Sequence, residues 1–245
     1  MQIISKYKFH LISIGIMILI LGALFNKPLT GEFTFSGVDS LSPSAVHQGI
    51  NAAEDKFGKY PLWLPWIFSG LPSVHSFQNI SDFYFPNIIP SLLKYLGIPK
   101  FWNYIFHFLL AGMGVFTLLS FLGTNRLSAL FGGVSFALMP YITTMVVHGH
   151  GSQMMTLAWL PWVIWSVLKL YENVSLFSLS LLGLFIGIQL QRAHVQIAYY
   201  SWLATGLLIL MLIFNIHKSS SIKPKWLIYT ASALILGLCM AMWIY

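Results

Sequence analysis

The chain has 245 residues, of which 57% are hydrophobic and only 8% are charged. A soluble domain carries roughly a quarter of charged residues, so this composition excludes an ordinary soluble globular protein. The formal net charge of +7 raises the question of a nucleic-acid partner, but the lysines and arginines are scattered between apolar segments, and we expect no nucleic-acid binding.

Apolar runs recur along the whole chain, and most are long enough to cross the roughly 30 Å hydrocarbon core of a bilayer. Each run is predicted to be helical, because an open backbone in lipid leaves N–H and C=O groups unpaired. The predicted fold class is all-α integral membrane, a single transmembrane module of about seven helices. The predicted spans cover residues 9–25, 101–122, 128–147, 154–170, 176–190, 197–214 and 226–245. No small-x-small cleavage site follows the first span, which is typical of an uncleaved signal anchor.

The loop cations predict which side of the membrane each loop faces, because cytoplasmic loops carry an excess of lysine and arginine. With a cytoplasmic N-terminus, the inside loops hold seven of these cations and one acid, Glu172, whereas the outside loops hold six cations and five acids. The lysine-rich tract 217–225 suits a cytoplasmic loop lying against anionic headgroups. The positive charge therefore indicates topology, and the residues able to do chemistry are predicted to face outward.

The first outer loop, residues 26–100, is far longer than a connection between two spans needs, which indicates function or ordered structure. Ser42 is predicted to cap an amphipathic helix in the membrane interface, with Pro43 at its first position. A second short helix is predicted over residues 86–96, with four apolar residues facing inward. The apolar stripe of the first helix is Val46, Ile50, Ala53 and Phe57, and the inward residues of the second are Ile88, Ile89, Leu92 and Leu96.

Two acids in this loop are candidates for a site. Asp39 follows the first span in Phe35-Ser-Gly-Val-Asp-Ser-Leu, close to the membrane surface. It is either a solvated carboxylate that caps a turn, or a general base or metal ligand. Asp82 could be either a solvated loop acid or part of a site.

The second outer loop contains Val147-His148-Gly-His150-Gly-Ser-Gln153. A His-x-His pair can supply two imidazoles to a metal ion. Asp39, His148 and His150 are therefore a candidate ligand set for a divalent cation, Mg²⁺ or Mn²⁺. The other interpretation is contact of the histidines with headgroups or substrate.

The third outer loop concentrates polar residues at the end of an apolar span. An arginine at that depth is costly unless it is paired or lines a polar cavity, and arginine can bind phosphate through two parallel hydrogen bonds. The alternative is an arginine that extends to the lipid headgroups. The residues are Gln189, Gln191, Arg192, His194 and Gln196, with Tyr199 and Tyr200 just beyond them.

The sequence lacks several motifs and charged residues that are typical of other classes of protein. No span carries an Asp, Glu, Lys or Arg near its middle, which disfavours an ion-coupled transporter. Neither a Walker-type nor a Rossmann-type glycine motif occurs, and the single cysteine, Cys239, precludes an internal disulfide.

Three segments together resemble the YfhO-like family of bacterial multispan membrane proteins. They are Tyr60-Pro-Leu-Trp-Leu-Pro-Trp-Ile-Phe-Ser-Gly-Leu-Pro72, then His150-Gly-Ser-Gln153 followed by Leu157-Ala-Trp-Leu-Pro161, and His194-Val-Gln-Ile-Ala-Tyr-Tyr200. That family is similar to the GT-C superfamily of integral membrane glycosyltransferases. Its members are usually much longer, so the chain is expected to be an N-terminal fragment.

The resemblance implies a GT-C-like core and a sugar donor linked to polyprenyl phosphate, used on the extracytoplasmic side of a bacterial cytoplasmic membrane. It also implies an active-site acid in the first outer loop, which falls on Asp39. The expected acceptor is a cell-envelope glycan. Substrate contacts are expected from Arg192, His194, Gln196, His150, Gln153, Tyr199 and Asp82.

Two further functions remain open at this point. The chain could be a non-catalytic component of lipid-linked glycan translocation, which would require a polar path between leaflets that the apolar spans disfavour. It could also be an inactive scaffold subunit.

Overall fold

The structure is a computed structural model that describes residues 2–33, 35, 37–73, 84–219 and 224–242. Most of this described chain is α-helical, and its strands are limited to one two-stranded hairpin. The elements of the predicted first outer loop are α2 (Asn26–Thr30), α3 (Val38–Phe57), β1 (Trp63–Leu64), β2 (Leu71–Pro72), a 3₁₀ turn (Phe85–Asn87) and α4 (Ile88–Tyr95). The apolar helices are α1 (Gln2–Leu24), α5 (Trp102–Phe121), α6 (Arg126–Ala137), α7 (Pro140–Val147), α8 (Gly151–Leu157), α9 (Leu160–Glu172), α10 (Leu176–Gln191), α11 (Val195–Ser219) and α12 (Pro224–Ala241).

Within the described residues, four helical segments are long and apolar enough to cross a membrane, judged by length and composition. They are Trp102–Phe121, Arg126–Val147, Gly151–Glu172 and Val195–Phe214. Three further apolar helices are shorter and lie where the other spans were predicted, at Lys8–Leu24, Leu176–Gln191 and Lys225–Ala241. The prediction of an all-α, multi-pass membrane protein is confirmed, but the structure supports four spans of sufficient length where the sequence predicted seven.

Two of these segments are interrupted at a proline. The segment Arg126–Val147 divides into α6 and α7 just before Pro140, and the segment Gly151–Glu172 divides into α8 and α9 just before Pro161. Proline has no backbone N–H and is tolerated in the first turn of a helix, so each proline begins a new helix instead of continuing the old one.

Helices α10 and α12 approach each other most closely through glycines. A methyl group at Gly183, Gly187 or Gly237 would overlap atoms of the facing helix. Small residues at this spacing let two membrane helices pack backbone to backbone. Helix α9 packs against both α5 and α10 and so links these two helices.

A cluster of buried apolar residues lies at the end of the bundle next to the first and second predicted outer loops. It includes Phe108 from α5, Ile142 from α7 and Met154 from α8, each at most 1% exposed. Phe35, from the start of the first outer loop, packs against the same cluster. The cluster therefore joins the first and second outer loops through apolar contacts beneath them.

Helix α3 begins earlier than predicted. It starts at Val38, after the extended residue Gly37, so Ser42 and Pro43 lie within the helix and the predicted cap at Ser42 is wrong. Asp39 consequently occupies the first turn, where a carboxylate interacts favourably with the helix N-terminus. Along the predicted stripe only Ile50 is fully buried, whereas Phe57 is 69% exposed.

Helix α4 lies where a short helix was predicted, but its apolar residues do not face inward. Ile88, Ile89, Leu92 and Leu96 are between 45% and 66% exposed. The predicted burial is wrong because this helix has few contacts with the rest of the described chain, and these are mainly with α5 and the 3₁₀ turn.

The proline-rich segment 60–72 forms the short hairpin, with Trp63 opposite Pro72 and Leu64 opposite Leu71. The absence of a regular helix here agrees with the prediction. Trp63 and Trp66 are exposed, and the ring of Trp66 lies beside Gly49 of α3.

Candidate functional site

The structure brings together two residues from different predicted outer loops, Asp39 and His150. The Nε2 atom of His150 lies 2.9 Å from Oδ2 of Asp39, across 111 residues of sequence. It is the one ion pair among the described residues. The side chains are 56% exposed for Asp39 and 38% for His150, so a ligand can reach both.

Glycines allow this approach. A methyl group at Gly37, two residues before Asp39, would overlap the backbone of His148. A methyl group at Gly151 would overlap the ring of Tyr104 on α5. The two loops therefore meet with backbone against backbone and backbone against ring, and no larger side chain fits between them.

His148 is placed differently from His150. Its Nδ1 donates to the carbonyl oxygen of Thr144 at 2.9 Å, one turn back in α7. Among the described residues no group of three or more His, Cys, Asp or Glu side chains is arranged to hold a metal ion. The structure therefore does not support the candidate ligand set of Asp39, His148 and His150, and this set stays a prediction.

Arg192 lies at the end of α10, half-buried against the first outer loop. Its guanidinium carbon is 5.3 Å from the centre of the Tyr84 ring, and its Nε is buried without a hydrogen-bond partner. Burial lowers the pKa of Arg192, and interaction with the hydroxyls of Tyr84 and Tyr104 acts in the opposite direction. Arg192 is thus a cation that no described carboxylate pairs with.

His194 is half-buried and interacts electrostatically with both His150 and Arg192. Its Nδ1 accepts a hydrogen bond from the backbone N–H of Ile197 at 3.4 Å, so in the neutral ring Nε2 carries the proton. Burial lowers the pKa of His194, a backbone hydrogen bond acts in the opposite direction, and electrostatic interaction with His150 and Arg192 lowers the pKa further. His194 is therefore held neutral at physiological pH, with an N–H to donate.

The remaining predicted contacts lie at the edge of this group or outside the described residues. Gln196 and Tyr199 are exposed at the start of α11, and the amide of Gln196 donates to the hydroxyl of Tyr200 at 3.2 Å. Gln153 is half-buried on α8, three residues after His150. Asp82 lies outside the described residues, so its predicted role stays a prediction.

A buried hydrogen-bond chain beside Arg192 was not anticipated. The indole N–H of Trp159 donates to the hydroxyl of Tyr84 at 2.7 Å, and that hydroxyl contacts Nε2 of His107 at 2.8 Å. Nδ1 of His107 lies 2.7 Å from the carbonyl oxygen of Asn103. The sequence contained one signal for this chain of hydrogen bonds, the lone histidine His107 within the apolar span of α5. A buried polar side chain needs hydrogen-bond partners, so its presence there indicates a buried polar contact.

The site thus combines an accessible carboxylate hydrogen-bonded to a histidine with a neutral imidazole and a half-buried guanidinium that no described carboxylate pairs with. A carboxylate of this kind can accept a proton or hold a cation, and a guanidinium can bind an oxyanion.

The chain was compared with protein families, curated proteins and solved structures, and nothing matches in any of the three comparisons.

Proposed function

We propose that the protein is a membrane glycosyltransferase that moves a sugar from a polyprenyl-phosphate-linked donor to a cell-envelope glycan on the extracytoplasmic side of a bacterial cytoplasmic membrane. The observation that supports this most directly is the contact between Asp39 and His150, with Arg192 and His194 close by. This contact joins an acid of the first predicted outer loop to a histidine of the second, and His194 of the third interacts electrostatically with that histidine. The proposal includes a seven-span GT-C-like core in which α1, α10 and α12 also cross the membrane.

The exposed carboxylate of Asp39 acts as the general base. His150 donates its Nε2–H to Oδ2, which orients the carboxylate and leaves Oδ1 to accept a proton from the acceptor hydroxyl. The acceptor oxygen forms a bond to the anomeric carbon while the bond from that carbon to the phosphate oxygen breaks. The bonding electrons leave with the lipid phosphate, and the configuration at the anomeric carbon inverts. A divalent ion held by Asp39 is the alternative use of the same carboxylate.

In this proposal Arg192 binds the phosphate, which is the leaving group. A phosphate is already a good leaving group, so the site has to bind its charge and needs no general acid. The buried guanidinium and the neutral imidazole of His194 supply N–H donors for phosphate oxygens, together with the amide of Gln196. His150 and Gln153 contact the sugar or phosphate from the second loop.

The test is the substitution Asp39→Asn, which keeps the shape of the side chain and removes the base. We expect the transfer rate to fall by about 10² to 10⁴, the usual contribution of a positioned acid or base. The measurement is release of polyprenyl phosphate from a polyprenyl-phospho-hexose by the chain in membranes, with the amount of inserted protein quantified.

Asp55→Asn is the matched control, because Asp55 is an exposed carboxylate on the same helix as Asp39. It should leave the rate unchanged. Normal transfer by a stably inserted Asp39→Asn variant would remove Asp39 from the mechanism.

A further inference from the structure

Tyr84 is the residue against which the Arg192 guanidinium rests, and it has no part in the chemistry described above. We infer that Tyr84 is a positioning residue that holds Arg192 ready for a phosphate oxyanion without neutralising its charge. The inference rests on the proposed anion-binding role of Arg192 and extends it to a tyrosine, a histidine and a tryptophan that contact no substrate.

The Tyr84 ring is fixed at its hydroxyl. Since the carbonyl oxygen of Asn103 can only accept, Nδ1 of His107 carries the proton, and Nε2 of the neutral ring accepts from the Tyr84 hydroxyl. The same hydroxyl accepts from the indole N–H of Trp159. Tyr84 is 1% exposed, so this arrangement gives its hydroxyl both a donor and an acceptor and leaves the ring one orientation.

The segment that carries Arg192 is also hydrogen-bonded to the residue that follows Tyr84. The backbone N–H of Phe85, next to Tyr84, donates to Oε1 of Gln191, next to Arg192, at 3.3 Å. The amide nitrogen of Gln191 donates to the carbonyl oxygen of Met240 on α12 at 3.3 Å. Tyr84 contacts Arg192, and the next residue, Phe85, is hydrogen-bonded to the preceding residue, Gln191. These two contacts together set where the guanidinium lies above the ring.

A ring is a suitable support for a cation that must bind an anion. A carboxylate in this position would form an ion pair and occupy the N–H donors, whereas an aromatic face stabilises the guanidinium and leaves those donors free. The buried Nε without a partner shows that the described residues do not satisfy Arg192 completely. An oxyanion bound at the remaining N–H groups of the guanidinium would offset its charge, because an unpaired buried charge is costly.

The ligand chemistry is a phosphate oxyanion, whose source is either a lipid phosphate or free phosphate. The experiment uses three probes with the full chain in nanodiscs: geranylgeranyl phosphate, inorganic phosphate and the neutral alcohol geranylgeraniol. Equilibrium binding is measured for the wild type and for Arg192→Gln, Tyr84→Phe and the double variant.

We expect Tyr84→Phe to weaken geranylgeranyl phosphate binding by about fivefold, the equivalent of one hydrogen bond, while geranylgeraniol binding stays unchanged. Arg192→Gln should weaken phosphate binding at least as much, and Tyr84→Phe should add nothing in the Arg192→Gln background, because it acts through that side chain. If the same variants also bind inorganic phosphate more weakly, free phosphate is sufficient as a ligand of this site and the lipid part is not required.

Tyr229→Phe is the matched control, because Lys225 lies over the Tyr229 ring at the same distance of 5.3 Å but on another part of the bundle. It should bind all three probes like the wild type. If Tyr84→Phe does not insert stably, Trp159→Phe removes the indole donor to the same hydroxyl and carries the same test.

Two results would overturn the inference: Tyr84→Phe binding geranylgeranyl phosphate like the wild type, or losing the phosphate and the alcohol equally, which would mean a structural role alone. Failure of the proposed function is distinguishable. In that case the variants lose phosphate selectivity as expected, but the wild type transfers no sugar.

Discussion

Gly37 shows how one small residue controls the contact between the first and second outer loops. It precedes Asp39 by two residues, and its Cα lies against the backbone of His148. The backbone of His148 cannot move as a flexible side chain tip can. Any side chain at position 37 must therefore push helix α3 away from the loop that carries His150.

We predict that Gly37→Ala separates Asp39 from His150. The measurement is disulfide formation between Asp39→Cys and His150→Cys in a Cys239→Ser background, with and without the added methyl group. The cross-linking rate should fall by about tenfold, since overpacking costs on the order of 1–3 kcal/mol.

Gly49→Ala on the same helix is the control for this prediction. A Cβ there would meet the Trp66 ring at 3.5 Å, an ordinary van der Waals distance. Equal cross-linking in the Gly37→Ala and Gly49→Ala chains would mean that α3 tolerates the methyl group at both positions.

At the scale of the elements, helices α10 and α12 depend on a close approach of their backbones. Gly183 and Gly187 are one helical turn apart on α10, and both face Leu236 or Met240 of α12. Gly237 of α12 faces Ile186 in return. Since lipid competes equally for apolar side chains, the attraction between such helices comes from close packing.

The expected effect of Gly183→Val is a loss of about 1–3 kcal/mol in the free energy of unfolding, because the added methyl groups meet Leu236. Unfolding by SDS titration from mixed micelles measures this loss. The loss should be greater than that of Gly206→Val, since a Cβ at Gly206 meets no atom within 4 Å. Similar losses for both variants would mean that helix propensity and not packing is responsible.

Across the whole molecule, the number of spans is decided by the short helices. Helix α10 has 16 residues. At 1.5 Å per residue that is about 24 Å, somewhat less than the hydrocarbon core, and a helix of this length crosses only if the bilayer thins locally. Its crossing determines whether the loops at Glu172 and Arg192 lie on opposite sides of the membrane.

We predict that Asn173→Cys and Val195→Cys, each in a Cys239→Ser background, are labelled from opposite sides. A membrane-impermeant maleimide applied to intact cells should react with the cysteine at position 195 and not with the one at position 173. Permeabilised cells, in which both cysteines should react, provide the control. Equal labelling in intact cells would show that α10 does not cross, and the seven-span proposal would be wrong.

Local patterns were sufficient for some elements and not for others. Apolar runs located the four described helical segments that are long enough to cross a membrane, because hydrophobicity over about 20 residues depends on composition alone. The periodicity of α4 identified its apolar residues but not what covers them. The start of α3 was misplaced because Ser42 and Pro43 form a good local capping pattern, whereas Gly37 and Asp39 at the observed start depend on the neighbouring loop.

The sequence by itself determined the class of molecule: an apolar, all-α membrane protein, with Asp39, His150, Arg192 and His194 singled out as polar candidates. Only the tertiary structure decided that Asp39 meets His150 at 2.9 Å and that Arg192 rests on Tyr84. Composition acts locally, since each span is stabilised by its own transfer into lipid. Contacts between residues more than a hundred positions apart depend on how the helices pack, and the glycines that permit that packing can be interpreted only when the facing helix is known.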